Sequence, residues 1–181
     1  MKKKNIAVGV TASVACYKAL DIIRGLKKNG LSTEAVMTKE AEEFIRPILF
    51  QSISGNKVIV ADLFKVPEEW DTAHVSLAKR ADLVLVAPAT ANIIAKVANG
   101  ICDDMLTCTI CATKAPVLFA PAMNANMYAN KIVQENISKL KNIGYHFIGP
   151  IKGKLVCGEE GIGHLEDVEK IVNKVRTIVK G

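Results

Sequence analysis

The sequence predicts a three-layer α/β domain built on a mostly parallel sheet. Three observations lead there. Residues 5–10, 83–87 and 116–120 are apolar without alternation, the pattern of strands buried on both faces. Stretches with helical periodicity separate them, and strands that alternate with helices form parallel sheets through right-handed crossovers. At 181 residues, half of them hydrophobic, the chain can bury a full core as one domain over residues 1–181.

The elements follow in order. Residues 5–10 are the first strand, and the loop TASVA leads into a helix from about 14 to 29, ended by Asn29-Gly30. Residues 32–37 are a second strand. A helical stretch covers 38–50, with Pro47 marking a break and Gly55-Asn56 a turn. Residues 57–71 read as irregular. A short helix over 74–80 feeds the strand 83–87. One helix follows the PATAN loop and another covers 105–112. The strand 116–120, a long helix to about Lys141 and the strand 145–148 come next. Residues 150–164 hold four glycines and no clear periodicity, and 166–179 form a closing amphipathic helix. The class is Rossmann-like (flavodoxin-like).

Composition narrows the function. The 24 basic and 18 acidic residues give a net charge of +6, but the lysines are scattered and the aromatics few, so no nucleic-acid partner is expected. The start MKKKNIAVGV has lysines before an apolar run, yet the run soon gives way to Thr11 and Ser13, with no extended signal-peptide core. A first strand, a cytoplasmic location and no membrane span are expected. The five cysteines, Cys16, Cys102, Cys108, Cys111 and Cys157, are an odd set expected to be reduced. Cys108 and Cys111 form a CxxC inside the apolar run TCTICA, where they read as packed core thiols; zinc would need two further ligands, and no metal is expected.

Three loops at strand ends are candidates for a site, because ligands of open parallel sheets bind outside the carboxyl ends of the strands. In GVTASVACYK, Gly9, Thr11 and Ser13 leave backbone amides accessible at a helix N-terminus, which suits a phosphate. The spacing lacks the glycines of the dinucleotide fingerprint, and strand two ends in Met37-Thr38-Lys39 without a carboxylate for a ribose diol. A mononucleotide fits better; a bare helix cap at Thr11 or Ser13 is the alternative. The other two loops each read apolar strand, Ala-Pro-Ala, then a polar side chain: Ala87-Pro88-Ala89-Thr90-Ala91-Asn92 and Ala120-Pro121-Ala122-Met123-Asn124. Small residues at these ends leave a slot for a planar ring. Thr90, Asn92 and Asn124 either address a ligand or cap the following helices. His74 is either a helix-start histidine or a base, since imidazole changes protonation near neutral pH. Cys157 stands apart from the other cysteines in a glycine-rich stretch, where an exposed thiol could serve as an acid.

In this order GVTASVACYK, HVSLAKRADLVLVAPATAN, PAMNANM and KLVCGEEGIGH, spread over nearly the whole chain, resemble the homo-oligomeric flavin-containing cysteine decarboxylases. The likeness is to the branch that acts on a small phosphorylated cysteine amide in coenzyme A biosynthesis. It implies FMN bound between subunits of a homotrimer, commonly assembled into a dodecamer, and a synthetase domain that is either fused or separate. Residue by residue, it implies that Ala12, Ser13, Val14, Thr38, Pro88, Ala89, Thr90, Asn92, Ala122 and Met123 hold the cofactor. His74 falls on the catalytic histidine, Asn124 on the residue that meets the substrate carboxylate, and Cys157 on the proton donor. Met127, Lys154, Leu155 and Val156 join Asn124 in binding substrate. PATAN departs from the Ser that relatives often carry at Thr90, but keeps the hydroxyl. The implied chemistry is a redox cycle inside a lyase reaction: the cysteinyl group is oxidised to a thioaldehyde, loses carbon dioxide as an enethiolate, and is reduced again. A peptidyl-cysteine decarboxylase that releases the enethiol and a non-catalytic regulatory flavoprotein are the alternatives. Cys157 argues against the first, and His74, Asn124 and Cys157 together against the second.

Overall fold

The computed structural model describes residues 3–60, 73–154 and 160–180. Six parallel strands, β1 (Asn5–Val10), β2 (Ser32–Met37), β3 (Ile59–Val60), β4 (Leu83–Ala89), β5 (Val117–Pro121) and β6 (His146–Phe147), lie in the order β3-β2-β1-β4-β5-β6. Strand order therefore reverses between β1 and β4, the switch point at which doubly wound sheets bind ligands. The expected class is borne out.

Successive side chains on the strands serve opposite layers, as the period of two requires. Ile6, Val8, Leu83 and Leu85 face helices α1 (Lys18–Lys28) and α8 (Val168–Lys180), and pack with Ile22, Leu26, Ile171 and Val175. Ala7, Val84, Val86 and Phe119 face α4 (Ala91–Ala98), α5 (Met105–Ala112) and α7 (Lys131–Asn142) through Ile93, Leu106, Ile110 and Leu140. Each fully buried Leu, Ile or Phe is worth about 1.5–3 kcal/mol relative to exposure. Burial on both sides explains why these strands do not alternate in sequence. Gly9 of β1 is part of this packing: a Cβ there would lie 2.6 Å from Leu106 Cδ1, so the Leu106 side chain would have to shift to admit one.

Several expected elements are subdivided. The first helix opens as a 3-10 turn over Val14–Tyr17 before α1 begins. The stretch 38–50 resolves into a 3-10 turn over Lys39–Glu43 and α2 (Pro47–Ser54), with Pro47 at the helix start, where its missing N–H costs nothing. Helix α3 spans Ala73–Arg80. The single long helix expected after β5 is two, α6 (Ala125–Ala129) and α7. Asn130 closes the first and caps the second, its side chain accepting from Ile132 N at 2.9 Å. Residues 150–164, where no element was foreseen, contain an antiparallel pair, β7 (Ile151–Lys154) and β8 (Glu160–His164). The CxxC is also corrected: Cys108 is half-buried and Cys111 exposed, because α5 turns Met105, Leu106, Thr109 and Ile110 inward instead. The four cysteines among the described residues are free thiols, as expected; Cys157 lies outside those residues. No described helix is long and apolar enough to cross a membrane.

At the opposite end of the sheet from the candidate loops, Arg80 Nη2 reaches Glu34 Oε2 at 2.6 Å, and Asn5 Nδ2 donates to Glu34 Oε1 at 2.6 Å. Burial pushes the Glu34 carboxyl up, but the hydrogen bonds from Arg80 and Asn5 and the Arg80 charge outweigh it and hold the group below its ordinary 4.5. A carboxyl depressed in the folded state adds stability above its unfolded pKa and loses it as pH falls through the folded one. Arg80→Ala is therefore expected to lower stability at neutral pH by about 1 kcal/mol, given the partial exposure of the pair. The difference from wild type should shrink below pH 4.5, as urea unfolding at a series of pH values would show.

Candidate functional site

The three loops singled out in the sequence converge at the switch point. Thr11, at the end of β1, is buried; its hydroxyl donates to Pro88 O at 2.8 Å and accepts from Thr90 N at 3.2 Å. This hydroxyl stitches the β1 and β4 loops together. Ser13 Oγ accepts from Ala15 N at 3.3 Å, capping the 3-10 turn, and lies 3.5 Å from Ala122 O on the β5 loop. Thr90 caps α4 by accepting from Ile93 N at 3.3 Å. At Ser13 and Thr90 capping and cavity lining coexist, because one hydroxyl can close a helix and still border the crevice.

Two cavities open here. One, of about 300 Å³, is lined by Thr11, Ala12, Ser13, Thr38, Thr90 and Asn92, with Ala122, Met123 and Met127 on the β5 side. Glu40 and Asp104 also border it; Asp104 caps α5 by accepting from Thr107 N at 2.8 Å. The other, of about 360 Å³, is lined by Ser13, Val14, Ala122, Met123 and Asn124, with Tyr17, Lys18, Gly163 and His164 from neighbouring elements. Both volumes fall in the range of small-molecule sites. Ser13, Ala122 and Met123 border both, so the cavities share a wall.

Most of the expected cofactor residues are thus brought together. Ala12, Ser13, Thr38, Thr90, Asn92, Ala122 and Met123 line the first cavity, and Val14 the second. Pro88 and Ala89 sit behind them, buried at the end of β4, where Ala89 O accepts from Ala122 N at 3.0 Å. The residues at the polar end carry hydroxyl and amide donors beside the α4 N-terminus, and Ala12, Ala122 and Met123 supply small or flexible apolar walls. This set fits a phosphorylated planar cofactor.

Asn124 lies on the second cavity. Its Oδ1 accepts from Asn126 N at 2.8 Å and Met127 N at 3.4 Å, capping α6. The carbonyl end of the amide is thereby committed to the helix. His74 is the second residue of α3, half-buried, and borders neither cavity in the single chain. Met127 is half-exposed on the first cavity, not beside Asn124's. Of the remaining substrate residues, Lys154 ends β7, while Leu155 and Val156 lie with Cys157 outside the described residues.

No pattern of residues pointed to β8's part. Met123 N donates to Gly163 O at 3.0 Å, and a Cβ on Gly163 would stand 2.1 Å from Met123 O. The strand therefore seats on the Asn124 loop only because residue 163 is glycine. It brings His164 Nε2 to 3.1 Å from Lys18 Nζ at the cavity wall. Gly163→Ala is expected to cost roughly 3 kcal/mol, since the clash is with backbone that cannot rotate away. Thermal unfolding should show the loss, and an unchanged midpoint would mean that β8 does not rest on this loop.

A doubly wound sheet with a cofactor-sized crevice at its switch point defines a cofactor-binding α/β protein. Residues 1–180 match the model of the flavoprotein family, and the chain belongs to that family. It is 44% identical over 172 residues to the coenzyme A biosynthesis bifunctional protein CoaBC of Bacillus subtilis (strain 168), covering 95% of this chain and 42% of that protein. The chain thus spans about two-fifths of such bifunctional relatives. It is 41% identical over 174 residues to a probable phosphopantothenoylcysteine decarboxylase of Streptococcus mutans, covering 95% of this chain and 97% of that one. Among solved structures it resembles a cysteine-to-serine mutant of PPC decarboxylase complexed with pantothenoylaminoethenethiol, with a TM-score of 0.89 and 27% identity, over 99% of this chain and 100% of that chain.

Proposed function

We propose that residues 1–181 form an FMN-dependent carboxy-lyase domain that converts 4′-phosphopantothenoylcysteine to 4′-phosphopantetheine in coenzyme A biosynthesis. The observation that carries this is the wall of Ser13, Ala122 and Met123 shared by the cavity of Thr38, Thr90 and Asn92 and the cavity of Asn124. Family membership and the relatives' names support it, as does the enethiol held by the cysteine-to-serine mutant.

The residues divide the work. Thr38, Thr90, Asn92 and the Ala12–Ser13 backbone would hold the polar end of FMN, with Ala122 and Met123 beside it. Bound FMN supplies reversible two-electron chemistry, which a cysteine amide lacks on its own. Asn124 holds the substrate carboxylate through neutral donors. Neutrality matters, because a cation would stabilise the very group that must leave. His74 moves the proton released as the cysteinyl group is oxidised, and Cys157 returns one to the enethiolate carbon. Since His74 borders neither cavity in the single chain, the complete site draws it from a neighbouring subunit of a homotrimer, itself assembled into a dodecamer. A synthetase domain, fused or separate, would supply the substrate. The domain works in the cytoplasm.

The purified protein is expected to carry flavin absorbance and to release carbon dioxide from 4′-phosphopantothenoylcysteine; a colourless protein that stays so after exposure to FMN would end this reading. Asn124→Asp should keep flavin but lose substrate binding, because a carboxylate would then face the substrate's own in a poorly screened cavity. Substrate affinity in a binding titration tests this, and an unchanged value would remove Asn124 from that role.

A further inference from the structure

The second cavity holds a polar pair that the proposed chemistry leaves unassigned. Lys18 is the first residue of α1 and His164 the last of β8, and both line the cavity with Asn124. Lys18 Nζ lies 3.1 Å from His164 Nε2. An ammonium only donates, so Nε2 accepts and the ring carries its proton on Nδ1. The ring is seated in turn on β7: a Cβ on Gly153 would stand 3.2 Å from His164 Cγ, closer than side chains ordinarily pack. His164 thus rests on the Gly153 backbone and holds the lysine at the cavity wall.

Among the described residues no carboxylate lies within ion-pair distance of Lys18, whereas Lys4, Lys96 and Lys170 each have one. No described Asp or Glu lines this cavity, while Glu40 and Asp104 border the first. Much of the wall is apolar, with Val14, Ala15, Ala122, Met123 and Leu165, so the charge is screened less than on open surface. The positive end of the α1 dipole adds to it. A cation held by a neutral imidazole, with more donors than that one bond uses, is a receptor for an anion.

We propose that Lys18, positioned by His164, binds the phosphate of the substrate and so selects phosphorylated cysteine amides over peptides that end in cysteine. The inference rests on the reading of this cavity as the substrate's. That substrate carries a carboxylate and a phosphate, and the chemistry divides them. A cation on the carboxylate would oppose its departure, which leaves that group to the neutral Asn124. The phosphate takes no part in bond breaking, so charge-assisted hydrogen bonds there do not oppose the reaction. A peptide tail without a phosphate would leave the ammonium without a counter-charge.

The test titrates the flavin-loaded protein with 4′-phosphopantetheine and with pantetheine by calorimetry. Both lack the carboxylate, so the difference between them reports the phosphate alone. Wild type should bind the phosphorylated compound roughly 10- to 100-fold more tightly, the range for hydrogen bonds to a charged group. Lys18→Met should lose most of that preference, and Lys18→Arg, which keeps the charge, should retain it. His164→Phe keeps a ring over Gly153 without the nitrogen, and should reduce the preference severalfold. Flavin content should match wild type in all three, which also shows that they fold. Equal affinity of wild type for the two compounds would overturn the proposal and leave the lyase reading standing, as would an unchanged preference in Lys18→Met. Binding of neither compound would overturn it too, and the lyase reading with it if no carbon dioxide is released from the substrate. Loss of flavin from Lys18→Met, with the fold intact by circular dichroism, would assign the pair to the cofactor's phosphate instead.

Discussion

Replacing His74 with Asn is expected to lower decarboxylation about 10²- to 10⁴-fold, the range that general acid–base catalysis contributes, while flavin content and assembly state stay unchanged. The change removes the imidazole, which can take up and release a proton, and keeps a side chain that can hydrogen-bond. His74 stands on the first turn of α3, and Leu77 and Ala78, not His74, are the residues that α3 buries in the core. The helix should therefore survive the substitution. Single-turnover mixing with substrate separates the two accounts of this residue. If His74 handles the proton released on oxidation, flavin bleaching itself should slow. If it only begins the helix, both bleaching and turnover should stay near wild type.

Cys157→Ser should have an equally large effect on a different half-reaction. The variant is expected to bind substrate, oxidise it and release carbon dioxide, and then to stall. A serine hydroxyl is a far weaker acid than a thiol, so protonation of the enethiolate fails. Anaerobic mixing should bleach the flavin and accumulate a product two hydrogens short of 4′-phosphopantetheine. Changing Cys16, Cys102, Cys108 or Cys111 to Ala should trap nothing of the kind. Normal 4′-phosphopantetheine formation by Cys157→Ser would move the acid to another residue and restore the peptidyl-cysteine alternative.

The parts of this account legible in the sequence are those set by burial and chain direction. The apolar runs that became β1, β4 and β5 sit between two helical layers, and two-sided burial leaves a plain mark. Their loops were legible for the same reason: a Pro or a small polar residue directly after such a run can only lie at the sheet's carboxyl edge. What escaped is held by tertiary contact. Strands β7 and β8 read Ile-Lys-Gly-Lys and Glu-Gly-Ile-Gly-His, with too few apolar positions to show a period of two. Gly163 beneath Met123 is a matter of one atom's space, invisible in a list of residues. Lys18 and His164 meet across 146 positions of sequence. The run TCTICA was misjudged because it is apolar almost all round, and nothing local says which face turns inward. Thr109 is buried with its hydroxyl donating to Met105 O at 2.7 Å, while Cys111 is exposed. Asn130 broke an expected helix because one Asn both ends α6 and caps α7.

The most direct test of the central claim is the mass of the product formed from 4′-phosphopantothenoylcysteine by the flavin-loaded wild-type protein under anaerobic conditions. The account predicts complete conversion to a species lighter by one carbon dioxide, with the flavin returned to its oxidised form. A product lighter by carbon dioxide and two further hydrogens, with the flavin left reduced, would contradict it, as would substrate recovered unchanged.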